Sequence, residues 1–102
     1  MSDQEHIYNH MQDAPIDYPA QTIVSLVPSV TESLFDLRLN HRLIGRTDYC
    51  IYPAGQVDSV ETIGGTKNPD VSRIIELAPE LVIANYEENR QEDVEKLQEA
   101  GI

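Results

Sequence analysis

The chain has 102 residues, of which 40% are apolar, and a formal net charge of −11. This is the size of one small domain or of part of a larger one, with enough apolar material for a core and too much for a disordered tail. Seven basic residues against 18 acidic ones exclude a nucleic-acid binder, which needs Lys and Arg clusters against phosphate. A lone cysteine, Cys50, excludes an internal disulfide, and no stretch approaches the roughly 18 apolar residues of a membrane span.

Residues 1–21 read as an N-terminal extension, with a short hairpin over 6–18: Ile7, Tyr8 and Met11 before a Gln12-Asp13 turn, Ile16 and Tyr18 after it. The segment has no basic n-region and no continuous apolar run, so it is not a secretory signal peptide. The chain is then cytoplasmic, or a leader precedes it. From residue 22 the signals sharpen. The run TIVSLV (22–27), bounded by Pro28, predicts a strand buried on both faces. Ser29 and Glu32 have the spacing of a capping box, and Val30, Leu34 and Leu37 form one apolar stripe, which predicts a helix over 30–39 closed by Asn40 in the left-handed conformation. A second strand is expected at 43–47. Residues 48–68, with Pro53, Gly55, Gly64 and Gly65, read as a long irregular connection of the kind that carries function.

Asn68 as cap and Pro69 in the first turn predict a helix over 69–78, with Val71, Ile74, Ile75 and Ala78 inward and Pro79 as its stop. LVIA (81–84) is a third buried strand. The last helix, 90–100, turns Val94 and Leu97 inward and its acids outward, with Gly101 at the C′ position and Ile102 packing back on Leu97. Strand, helix, strand, loop, helix, strand, helix is the order of an α/β fold with a Rossmann-like parallel sheet and flanking helices. The chain stops where a further strand is expected, which leaves the strand at 81–84 with a free edge and the last helix with a bare inner face. Residues 22–102 therefore read as an incomplete lobe.

Ligands of open α/β sheets bind beyond the carboxyl ends of the strands. That rule selects residues 28–31, 48–50 and 85–89, and the loop Gly64-Gly65-Thr66-Lys67-Asn68 reaches the same edge. Tyr49, Thr66, Lys67, Asn85, Tyr86 and Glu87 are the candidate ligand-binding residues, a wall suited to a bulky polar small molecule. No catalytic residues are identified. Gly64-Gly65 lacks the spacings of a phosphate loop, Cys50 has no visible base, and His6 and His10 have no third ligand for a metal. The adjacent carboxylates Glu87 and Glu88 read as solvated.

SLVPSVTESLFDLRL (25–39), LIGRTDYCIYP (43–53), GGTKNPDVSRIIELAPELVIAN (64–85) and LQEAGI (97–102) together resemble the cobalamin- and iron-siderophore-binding proteins of ABC importers, over residues 22–102. The resemblance implies two Rossmann-like lobes joined by a long helix, with this chain as the N-terminal lobe and the ligand held between lobes. The ligand it implies is cobalamin, a ferric siderophore or haem, with no catalytic cofactor, and the partner an ABC permease. By position, Tyr49 matches an aromatic that packs on the corrin ring. Thr66 falls where cobalamin binders place a tryptophan, and Ser72 where the family carries a glutamate that docks on the permease. Asp70 and Glu76 lie beside Ser72 on the same helix. The family implies a periplasmic or cell-envelope location. Two other readings of the residues stand beside this one: a cytoplasmic corrinoid or metal-chelate sensor without a transporter, and a small flavodoxin-like nucleotide-dependent enzyme domain.

Overall fold

The computed structural model describes residues 20–102 and the strand Glu5–Tyr8. The elements in chain order are β1 (Glu5–Tyr8), β2 (Ile23–Ser25), α1 (Pro28–Asp36), β3 (Leu43–Arg46), α2 (Val71–Leu77), β4 (Leu81–Asn85) and α3 (Gln91–Glu99). The sheet has the order β1-β4-β2-β3. β2 lies between β3 and β4 and is parallel to both, as the three buried runs predict.

Side chains of the central strands alternate between two cores, because successive residues of a strand face opposite sides of the sheet. Val24, Leu26, Val82 and Ala84 meet Ile74 of α2 and Val94 and Leu97 of α3 on one face. Ile23, Leu81 and Ile83 meet Val30 and Leu34 of α1 on the other. The result is three layers, with α1 on one side and α2 and α3 on the other. The inner face of α3, expected bare, is covered: Val94, Leu97 and Ile102 belong to the core that α2 and the sheet share.

The free edge expected at 81–84 is also occupied. β1 pairs antiparallel with β4, Glu5 opposite Asn85 and Tyr8 opposite Val82, which makes the sheet mixed rather than purely parallel. The turn and second arm of the expected hairpin, residues 12–18, lie outside the described residues.

Helix ends depart from the local signals in instructive ways. The capping box of Ser29 and Glu32 does not form: Val27 is the N-cap, Pro28 opens the helix, and no side chain caps it. Proline at the first position has no N–H to satisfy, and the Val27 carbonyl accepts from both Val30 and Thr31 at 3.1 Å. At the other end Arg38, not Asn40, takes the left-handed conformation, with φ 59°. Leu39 N–H then donates to the Leu34 carbonyl at 2.8 Å, and both leucines join the same core. That hydrophobic contact closes the turn two residues early and leaves Leu37, expected inside, exposed.

Asp70, not Asn68, caps α2, accepting from Arg73 N–H at 3.0 Å. On that helix Leu77 packs inward beside Ile74 and Val71, while Ile75 is exposed and Ala78 leaves the helix with φ 49°. The C-terminus of α3 follows expectation: Gly101 has φ 87°, Gly101 N–H donates to the Gln98 carbonyl and Ile102 N–H to the Leu97 carbonyl, both at 3.0 Å. Among the acids of α3, Asp93 is buried rather than outward, held by Arg90 at 3.1 Å.

Candidate functional site

Parallel strands bring their carboxyl ends to one edge, so the segments after β3 and β4 meet there with the loop that leads into α2. The segment 48–68 is less irregular than expected. Residues 61–64 run along the outer edge of β3: Arg46 N–H donates to the Glu61 carbonyl at 3.0 Å, Ile63 N–H to the Arg46 carbonyl at 2.8 Å and Asp48 N–H to the Gly64 carbonyl at 2.8 Å. This pairing delivers Gly65 to Asn68 to the ligand edge. An open-sided pocket of about 320 Å³ lies there, lined by Tyr49, Thr66, Lys67, Asn68 and Glu88.

Tyr49 stands on a rigid base. Its N–H donates to the Thr47 hydroxyl at 3.3 Å, and Cys50 N–H to the Thr47 carbonyl at 3.1 Å. Below them the Cys50 thiol meets the Thr31 and Thr47 hydroxyls at 3.1 and 3.2 Å, and Thr31 donates to the Ser25 hydroxyl at 2.9 Å. These four groups are fully buried and tie the ends of β2 and β3 to the first turn of α1. Cys50 is thus a structural thiol. Arg46, 9% exposed as a residue, donates through its side chain to the Val60 carbonyl at 3.0 Å and the Cys50 carbonyl at 3.1 Å. Tyr49 itself is 65% exposed, and Ile51 and Tyr52 follow it at 53% and 56%.

The opposite side of the pocket is organised by two buried amides. Asn89 donates through Nδ2 to the carbonyls of Leu26 at 3.0 Å and Thr66 at 3.1 Å, and accepts from Asn85 N–H at 3.0 Å. Asn85 accepts from Glu88 N–H at 2.8 Å. Asn85 is buried, so of the residues after β4 it is Glu88 that lines the pocket, while Tyr86 and Glu87 are exposed beside it. Lys67 Nζ donates to the Glu87 carbonyl and joins the two loops across the pocket. A Cβ on Gly65 would lie 2.2 Å from Asn68 Oδ1 and 3.7 Å from Tyr49, which shows how closely the Asn68 side chain crosses the loop.

Of the residues expected at the site, Tyr49, Thr66 and Lys67 come together in the pocket. Asn68, expected as a helix cap, and Glu88, read as a solvated carboxylate, join them, and Arg46 and Asn89 serve beneath the surface. The only sequence sign for Arg46 and Asn89 is their place in the 43–47 strand and in the loop beyond the 81–84 strand. Asp70, Ser72 and Glu76 are exposed along α2. Arg73 on that helix takes Glu61 as a bidentate partner and Glu76 at 3.6 Å.

The hydrogen bond from Arg73 holds the Glu61 carboxyl below its ordinary value. A carboxyl lowered in the folded state stabilises it above the unfolded value and loses that contribution as pH falls through the folded one. The stability difference between the native chain and Glu61→Gln is therefore constant near neutrality and shrinks from about pH 4.3 downward. Thermal unfolding of both at a series of pH values checks this, and a difference that grows on acidification contradicts it.

Residues 23–101 match the Periplasmic binding protein family. The chain is 37% identical over 84 residues to a vitamin B12-binding protein of Vibrio campbellii, covering 82% of this chain and 30% of that one. It is 36% identical over 93 residues to an uncharacterized ABC transporter substrate-binding lipoprotein of Bacillus subtilis, 89% of this chain and 29% of the relative. It thus spans about 30% of the length of the curated relatives it matches. Among solved structures it resembles the periplasmic vitamin B12 binding protein BtuF of Vibrio cholerae, with a TM-score of 0.74 and 30% identity over 82% of this chain and 32% of that one. It also resembles the periplasmic heme-binding protein RhuT of Roseiflexus sp., with a TM-score of 0.75 and 26% identity over 81% and 32%. No helix among the described residues is long and apolar enough to cross a membrane.

Proposed function

Since the chain belongs to the periplasmic binding protein family, we propose that residues 22–102 form one wall of the ligand cleft in the substrate-binding component of an ABC importer, capturing a corrinoid or an iron chelate such as a ferric siderophore or haem without turnover. The observation that carries this reading is the pocket itself. An exposed aromatic face, Tyr49, stands on an anchored turn and lines the pocket together with Thr66, Lys67, Asn68 and Glu88. A flat macrocycle buries apolar area on such a ring and presents its polar rim to the remaining groups. The relatives support the ligand class, since one is named for vitamin B12 and a structural neighbour for heme. Asp70, Ser72 and Glu76, exposed on α2, are the surface offered to a permease.

A second lobe supplies the opposite wall in this reading, so each wall gives about half of the contact. Affinity falls tenfold for every 1.4 kcal/mol lost. Titration calorimetry with cyanocobalamin and with haemin is therefore expected to give only millimolar or weaker binding to isolated residues 1–102, and far tighter binding to a two-lobed protein containing them. In that two-lobed protein Tyr49→Ala is expected to weaken binding at least about tenfold, the worth of one buried aromatic contact. Tight, saturable binding by residues 1–102 alone would place the whole site within this lobe and overturn the two-wall mechanism.

A further inference from the structure

Arg46 is the last residue of β3, and nothing in the ligand reading uses it. The residue is 9% exposed. A guanidinium out of water is costly unless its donors are satisfied, and here the partners are two main-chain carbonyls, Val60 at 3.0 Å and Cys50 at 3.1 Å. Those carbonyls mark the two ends of the segment that carries Ile51 and Tyr52 and begins one residue after Tyr49. The base of the side chain is itself fixed, because Arg46 N–H and carbonyl pair with Glu61 and Ile63.

We propose that Arg46 is the positioning residue of the ligand wall: its fork closes the 50–60 segment at both ends and so fixes how Tyr49, Ile51 and Tyr52 are presented. Swinging this segment away strips both acceptors from a buried charge, so the open form is penalised and the exposed side chains stay on a preorganised platform. Preorganised contact surface binds better because less ordering remains to be done on binding. A planar guanidinium spans two separated acceptors, whereas an ammonium is a point charge with a single centre. Lysine therefore keeps the charge without the span, and methionine keeps the length without either.

The proposal rests on the ligand-wall reading for its purpose, but its test needs no ligand. The chain has no tryptophan, so Y49W and Y86W each introduce a sole indole, one on the Arg46-held segment's shoulder and one across the pocket on the β4 loop. In the full chain, R46M is expected to lower the anisotropy of the Y49W indole and to raise its acrylamide quenching at least about twofold, as local opening exposes it. The Y86W indole is expected to stay unchanged, and R46K, which also guards against a misfolded R46M, to give an intermediate result in Y49W. Equal loosening at both indoles means a general structural role and overturns the proposal, as does an unchanged Y49W indole in R46M or full rescue by R46K. If the two-lobed protein binds neither cyanocobalamin nor haemin, the ligand reading falls, while the two indoles still decide the role of Arg46.

Discussion

Asn89→Leu is expected to cost about 3–5 kcal/mol, because it leaves three buried main-chain groups without their partner at about 1–3 kcal/mol each, partly relieved by relaxation. The Asn89 amide, 5% exposed, joins the Leu26 carbonyl, the Thr66 carbonyl and Asn85 N–H. It therefore links the end of β2, the loop before α2 and the end of β4 at a single point. Leucine keeps the branching but has bulkier methyl groups, so some overpacking adds to the lost hydrogen bonds. Domains have only about 5–15 kcal/mol of stability in total, and a loss of this size moves the urea midpoint far enough to be read directly. A midpoint within the spread of ordinary surface substitutions, about 0.5 kcal/mol, would show that these three groups find other partners. Asn89→Asp keeps the acceptor for Asn85 N–H but sets a carboxylate against two carbonyls, and it is expected to be no milder.

Gly64→Ala is expected to destabilise by about 2–3 kcal/mol, combining left-handed strain of about 1–2 kcal/mol with a displaced main chain. Gly64 has φ 96°, and a Cβ there would lie 2.9 Å from the Asn68 carbonyl oxygen and 3.1 Å from Asp70 N. Both are backbone atoms of the bridge that Gly64 forms with Pro69, so neither can turn aside as a side chain can. Gly55 provides the comparison: it has φ 83°, and a methyl group there would meet nothing within 4 Å, so Gly55→Ala carries the strain alone. Thermal denaturation of the two variants should separate them, with Gly64→Ala the more damaging. Equal losses would mean the contact at Gly64 relaxes without cost. Because the bridge sets the direction of residues 65–68, Gly64→Ala should also disturb the pocket, whereas Gly55→Ala should not.

Local signal and folded outcome agree or part according to the range of the interactions. Of the parallel strands, the first and last in sequence were legible because TIVSLV and LVIA are almost wholly apolar, and only a sheet covered on two sides buries such runs. The end of α3 was legible because Gly101 and Ile102 make their contacts within one turn, at Gln98 and Leu97. At two helix ends packing overrode the local signal. Asn40 was expected to end α1, but the left-handed turn falls at Arg38, because that turn returns Leu39 to Leu34. Asn68 was expected to cap α2, but Asp70 takes that place where its N–H joins the Ile63 carbonyl at 2.6 Å, which leaves Asn68 to line the pocket.

The sequence by itself determined the α/β class, the order of the central strands and helices, and the edge on which Tyr49, Thr66 and Lys67 lie, because hydrophobic period and the direction of parallel strands are properties of short segments. The tertiary structure alone decided that β1 covers β4, that Arg46 spans from Cys50 to Val60, and that Asn89 reaches Leu26, 63 positions away. A buried polar side chain is defined by the carbonyls that chain folding brings to it, and a sequence records the donor without recording where its acceptors arrive.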